Sequence, residues 1–159
     1  SFILQHISRK CIHMNVKYNS LGIHIKAKDI RDSVNFYSDL GMKPVFAYGS
    51  MEFLTSLPDG IPTAPESYNG AIFAVGEGLL EVADGHMAVN PDVFKQEISS
   101  SKVSAMIKVK SVKDIVTTAT ANNISIAVPI REFPWGTREV VIKDPDGFVL
   151  VFVEQLSQQ

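Results

Sequence analysis

The sequence predicts an α+β fold built from two consecutive β-α-β-β-β repeats. Two observations carry that prediction. Ile25-Lys26-Ala27-Lys28-Asp29-Ile30-Arg31-Asp32 is echoed by Ile107-Lys108-Val109-Lys110-Ser111-Val112-Lys113-Asp114, and residue 107 lies 82 positions after residue 25. Each copy also passes from an apolar, strand-like stretch into helical spacing, and turn-punctuated strand segments follow. A period of 82 is too long for a solenoid repeat, which usually falls at roughly 20–50 residues. It describes a duplicated half-domain. Two related halves that face each other enclose a cleft, and a cleft is where a small molecule binds.

The elements follow in order. Leu21 to Ala27 alternates and reads as a strand, with Ile23, Ile25 and Ala27 on one side and Gly22, His24 and Lys26 on the other. Asp29 is an N-cap, with Asp32 in the first turn. Ile30, Val34, Tyr37 and Leu40 keep helical spacing, and Gly41 supplies a left-handed stop. Met42 to Tyr48 is a second strand, and a Gly/Pro-rich loop follows through Pro65. Ala71–Val75 and Leu79–Ala83 form a hairpin around Gly76-Glu77-Gly78. Asn90-Pro91-Asp92 opens a short linking helix, with Pro91 at its first position. In the second copy, Val103–Val109 is a strand, and Ser111 caps a helix that Asn122-Asn123 ends in the role of Gly41. Ile124–Ile130, Thr137–Lys143 and Phe148–Glu154 are strands, with the turn Asp144-Pro145-Asp146-Gly147 before the last.

The chain of 159 residues reads as one domain over 18–156: repeat one at 18–85, a linker helix at 86–101 and repeat two at 102–156. Residues 1–17 read as an N-terminal arm or an expression remnant, since Ser8 to Lys17 has no clean period. A net charge of −2 offers no electrostatic attraction for nucleic acid or an anionic membrane. No apolar run approaches the ~20 residues that span a bilayer. Cys11 is the only cysteine, which excludes an internal disulfide and fits a cytoplasmic location. No nucleophile elbow, dinucleotide fingerprint or P-loop occurs.

Three segments carry a resemblance to a known family. Ile25 to Tyr37 with Leu40-Gly41-Met42, then Phe133-Pro134-Trp135-Gly136-Thr137-Arg138-Glu139, then Asp144-Pro145-Asp146-Gly147-Phe148 stand in that order. Together they resemble the vicinal-oxygen-chelate superfamily of glyoxalases, bleomycin-resistance proteins and ring-cleaving dioxygenases. The Pro-Trp-Gly stretch is similar to the bleomycin-resistance branch. The resemblance implies a half-open barrel with helices outside, and a homodimer. Fold alone does not choose among the superfamily's chemistries.

The family's enzymes hold a divalent ion with up to four side chains. Matched by position, the quartet here is Gly22, Glu81, Ser104 and Val151. Three of these cannot act as ordinary ligands, so neither a metal nor another cofactor is expected. A relocated site from His24, Glu81 and His86 is the alternative, because His24 shares the strand face of Gly22. By alternation the cup walls include His24, Met106, Lys108, Val149, Val151 and Val153. Aromatic residues cluster in and near the loops, among them Phe46, Tyr48, Phe53, Phe73, Phe133 and Trp135. Phe46 and Phe73 also fit a core. Trp135 is a stacking candidate by resemblance and equally a plug for the sheet or a dimer seam. Arg138 and Glu139 read as a structural pair.

The binding residues expected are therefore Trp135, Phe46, Tyr48, Phe53, His24, Glu81, Met106, Lys108 and Val151, with no catalytic residue. The first reading is metal-independent binding or sequestration of a small aromatic or drug-like molecule. The alternatives are a lyase, isomerase or dioxygenase with a relocated metal, and a structural or regulatory module whose cup holds nothing.

Overall fold

Asp29 and Ser111 start the two long helices in the same way. Asp29 is extended, and its carboxylate accepts from the N–H groups of Arg31 and Asp32; Ser111 is extended, and its hydroxyl accepts from Asp114 N. Each cap satisfies an end-of-helix donor and contributes about 1 kcal/mol. Helix α1 spans Ile30–Asp39 and helix α3 spans Val112–Ala121, so the sequence offset of 82 holds at both ends. Both helices stop on a residue with positive φ, Gly41 at 86° and Asn123 at 57°. The N–H groups of Gly41 and Met42 bond to the carbonyls of Ser38 and Tyr37, and those of Asn123 and Ile124 to Thr120 and Ala119. Asparagine tolerates this left-handed geometry better than other non-glycine residues.

The computed structural model describes residues 17–157. Cys11 and the rest of the N-terminal arm up to residue 16 lie outside them. The first repeat forms the strands β1 (Gly22–Lys26), β2 (Lys43–Gly49), β3 (Thr63–Pro65), β4 (Gly70–Val75) and β5 (Gly78–Ala83), in the sheet order β1-β5-β4-β2-β3. The second forms β6 (Ala105–Val109), β7 (Val128–Phe133), β8 (Thr137–Lys143) and β9 (Val149–Gln155), in the order β6-β9-β8-β7. Leaving out the short β3, the two sheets share one topology. Each carries an equivalent parallel pair, β1 with β5 and β6 with β9. The architecture is mixed α+β, with two sheets that do not close into a barrel.

Four features depart from the sequence reading. The loop after β2 contains a short helix α2 (Met51–Thr55), because Ser50 caps it by accepting from Phe53 N. The same loop ends in β3, which pairs parallel to β2. The strand expected from Ile124 begins only at Val128, because Ile124 N is spent closing α3. The linker helix is a single 3-10 stretch, Pro91–Lys95.

One apolar core runs through both repeats. Ile30, Val34 and Tyr37 from α1 with Leu40 at its C-cap, and Val112 and Ala119 from α3, join Phe73, Leu80 and Val82 of the first sheet and Val140, Ile142, Leu150 and Phe152 of the second. The Asp144-Pro145-Asp146-Gly147 turn is the polar fastener between the repeats. Tyr37 donates its hydroxyl to Asp144 Oδ2 at 2.8 Å, and Lys28 N donates to Asp146 Oδ1 at 2.8 Å. Asp144 Oδ1 also accepts from the N–H groups of Asp146 and Phe148 at 2.9 and 2.8 Å. These aspartates do more than form a turn. They are buried, and burial pushes both carboxyls above the usual range. Gly147 has a φ of 90°, and a Cβ there would stand 2.3 Å from Ile98 O, so only glycine fits.

Candidate functional site

Each sheet turns one face to its helix and leaves the other open. On the open face of the first sheet, the strand register aligns His24, Glu81, Ile72 and Phe46 in one row. On the open face of the second, the matching row is Met106, Val151, Val141 and Val128. The repeats thus present equivalent rows of different chemistry, one mixed and one wholly apolar.

A β-bulge puts Phe46 and Tyr48 on the open face. Pro44 pairs with Phe73 of the core, but Phe46 pairs with Ile72, so Val45 is the extra residue that inverts the phase. Tyr48 then lies over Gly70, where a Cβ would come within 2.2 Å of its Cζ. Tyr68 lies over Gly85 in the same manner, with a Cβ 2.5 Å from its own Cβ. Two glycines therefore make room for two tyrosine rings. The segment that carries Tyr68 is tied down by Asn69, whose N–H and side-chain amide donate to Asp84 at 2.7 and 2.9 Å. Asn69 Oδ1 also accepts from Ser50 N at 2.9 Å.

The result is a half-open hollow of about 360 Å³ lined by His24, Phe46, Tyr48, Ala64, Pro65, Glu66, Tyr68, Glu81 and His86. Tyr48 donates its hydroxyl to Glu81 Oε1 at 2.6 Å. Burial and that bond, in this order, push the phenol well above its usual range. Tyr48 and Tyr68 meet edge to face at 5.7 Å, as do His24 and His86 at 5.3 Å. His24 Nε2 is buried without a hydrogen-bond partner and lies 3.9 Å from Glu81 Oε1, beyond hydrogen-bond reach. Burial lowers the His24 pKa; Glu81 opposes the shift, and the charges of Lys26 and His86 add to it.

Among the nine residues expected to bind, the structure brings His24, Phe46, Tyr48 and Glu81 together. Phe53 is corrected: it points from α2 into the core and is 2 % exposed. Met106 and Lys108 line a separate hollow of about 500 Å³ between β6, β1 and the β4–β5 hairpin. Val151 sits in the apolar row of the second sheet. Trp135, 66 % exposed, stacks on Phe133 at 4.6 Å in the β7–β8 turn and does not border the first hollow. The Arg138–Glu139 pair is also corrected. Arg138 bonds to Glu132 and Glu154, its cross-strand neighbours, while Glu139 faces the other side and accepts from Thr137 Oγ1. Tyr68, Glu66 and Pro65 were not legible in the sequence, because they precede β4 in a segment without period. The Asn69-Gly70 step was the one local signal.

The donor set does not fit the divalent ion that the family's enzymes use. Gly22 and Val151 offer no donor, and Glu81 already holds the Tyr48 hydroxyl. His86 Nδ1 accepts from Ala88 N, and among the described residues no three His, Cys, Asp or Glu side chains converge to hold a metal.

Residues 19–152 match the profile of the Glyoxalase/Bleomycin resistance protein/Dioxygenase superfamily, and the chain belongs to it. No curated protein sequence matches. Solved structures share the fold. A bleomycin resistance determinant encoded on the transposon Tn5 is 17% identical, with 88% of this chain and 98% of that one covered and a TM-score of 0.53. A glyoxalase/bleomycin resistance protein/dioxygenase from Nocardioides is 20% identical, with 91% and 86% covered and a TM-score of 0.58. A glyoxalase I mutant from Zea mays is 14% identical, with 87% and 45% covered and a TM-score of 0.60.

Proposed function

We propose that this protein binds and sequesters a small molecule, without a metal and without breaking a bond, as a homodimer in the cytoplasm. The observation that carries the reading is the hollow on the first sheet. Phe46, Tyr48 and Tyr68 present ring surface to it, and glycines at 70 and 85 make room for the two tyrosines. Rigid rings bury ligand area at small entropic cost. The bleomycin-resistance name of one structural neighbour agrees with a binder. The apolar row of the second sheet supports the dimer. Met106 is 71% and Val128 47% exposed, in line with Val141 and Val151, and a second copy would cover that face.

The test is a thermal-shift and calorimetric screen against planar aromatic compounds, with elemental analysis and added Zn, Ni, Mn and Fe. Binding that raises the melting temperature, with no metal retained or stabilising, supports the reading. A stoichiometric bound metal, or turnover of an oxoaldehyde or catechol, replaces it with the enzymatic alternative. A flat screen with no metal leaves the non-binding module.

A further inference from the structure

Charge is distributed unevenly around the aromatic hollow. Glu81 stands in its wall and Glu66 in its lining segment, and among the described residues no lysine or arginine lines it. The Glu66 carboxylate accepts from Ser67 N and Ser67 Oγ, which holds its pKa below the usual range and keeps it anionic. The Lys26 ammonium lies outside the lining, 3.4 Å from the carbonyl of His24. His24, its pKa lowered by burial, contributes no positive charge at neutral pH. Around Glu81 the rings of Phe46, Tyr48 and Tyr68 offer negative π faces, and Tyr48 is fixed to the carboxylate by its 2.6 Å bond. An organic cation entering here exchanges water for ring faces and a carboxylate, whereas an organic anion meets two like charges.

We propose, building on the small-molecule-binding reading above, that this hollow recognises a ligand through a protonated amine or quaternary ammonium group, held beside Glu81 against the rings of Tyr48 and Tyr68. The about 360 Å³ available suits such a head group together with an attached ring. Neighbouring aromatic groups on the same ligand would extend out of the half-open mouth.

Three probes of equal shape and different charge test it: 2-phenylethylammonium, 2-phenylethanol and phenylacetate, titrated calorimetrically into the whole protein. The expected order is cation, alcohol, anion, with the cation about tenfold tighter than the alcohol, a margin of about 1.4 kcal/mol. Glu81→Gln should bring the cation and alcohol within about threefold of each other. Tyr68→Leu, a half-buried ring outside the core, should weaken the cation more than the alcohol and serves if Glu81→Gln does not fold. Equal affinities for all three, or phenylacetate tightest, would overturn the charge assignment and leave a binding protein standing. If none of the three binds while planar neutral compounds still raise the melting temperature, the cation site is again refuted alone. If nothing binds in either experiment, both readings fail.

Discussion

Tyr37→Phe isolates the fastener between the two repeats. The substitution removes one oxygen and keeps a ring that is fully buried against Phe73 and Phe36. Its loss leaves Asp144 Oδ2 without the 2.8 Å donor it has across the repeat boundary, while Oδ1 keeps its two backbone donors. A hydrogen bond to a charged group contributes about 1.5–3 kcal/mol, so the variant should lose about 2 kcal/mol. At this chain length that lowers the melting temperature by about 4–8 °C. The pH dependence gives a second, sharper signature. Burial is the largest cause acting on Asp144 and raises its folded pKa, while the Tyr37 bond lowers it. A raised folded pKa means that the folded state binds the extra proton. Stability from this group is therefore complete below the unfolded pKa and is lost as pH rises through the folded pKa. Tyr37 matters only once the carboxylate is charged, so the defect should be full at pH 7 and shrink on acidification towards the usual aspartate range. Urea unfolding of both proteins at neutral and acidic pH measures it. A loss under about 0.5 kcal/mol at pH 7, or one that does not shrink in acid, would refute the claim that a charged Asp144 is held by this hydroxyl.

Three further outcomes follow from the same geometry. The His24 imidazole should titrate below about 6.5 by NMR, and Glu81→Gln should move it lower still, because Glu81 is the group opposing the shift; its folded pKa is depressed, so stability from neutral His24 falls as pH drops through that window, and a His24 titration above the free value would contradict the burial argument. Gly70→Ala drives a Cβ into the Tyr48 ring, so it should cost about 1–3 kcal/mol and weaken ligands of the aromatic hollow, seen as a lower urea midpoint and a displaced Tyr48 ring signal. Met106→Asp puts a charge in the apolar row at a 71% exposed position, and sedimentation should show a monomer whose melting temperature at low concentration matches that of the parent chain.

The repeat, the caps and the stops were legible in the sequence because each rests on a local rule. Asp29 and Ser111 cap through their own side chains, and Gly41 and Asn123 take a backbone angle that few residues accept. His24 and Glu81 were also legible as face-sharing residues, since strand alternation runs unbroken along β1 and β5. Phe53 was misread because an aromatic residue in a loop and one on a core-facing helical turn look alike until Ser50 is seen to start α2. Trp135 and the hollow belong to different sheets, a separation that no spacing along the chain encodes.

What the sequence determined by itself is the duplicated α+β unit and the family motifs it carries, because side-chain chemistry and short-range backbone preference suffice for both. What only the tertiary structure decided is which rings surround Glu81. The bulge at Val45 inverts the phase of β2, and Tyr68 reaches the hollow through Asn69 and Asp84, 15 residues apart. Both depend on pairing between strands, where one inserted residue exchanges the buried and open faces, and that information lies between segments rather than within any one of them.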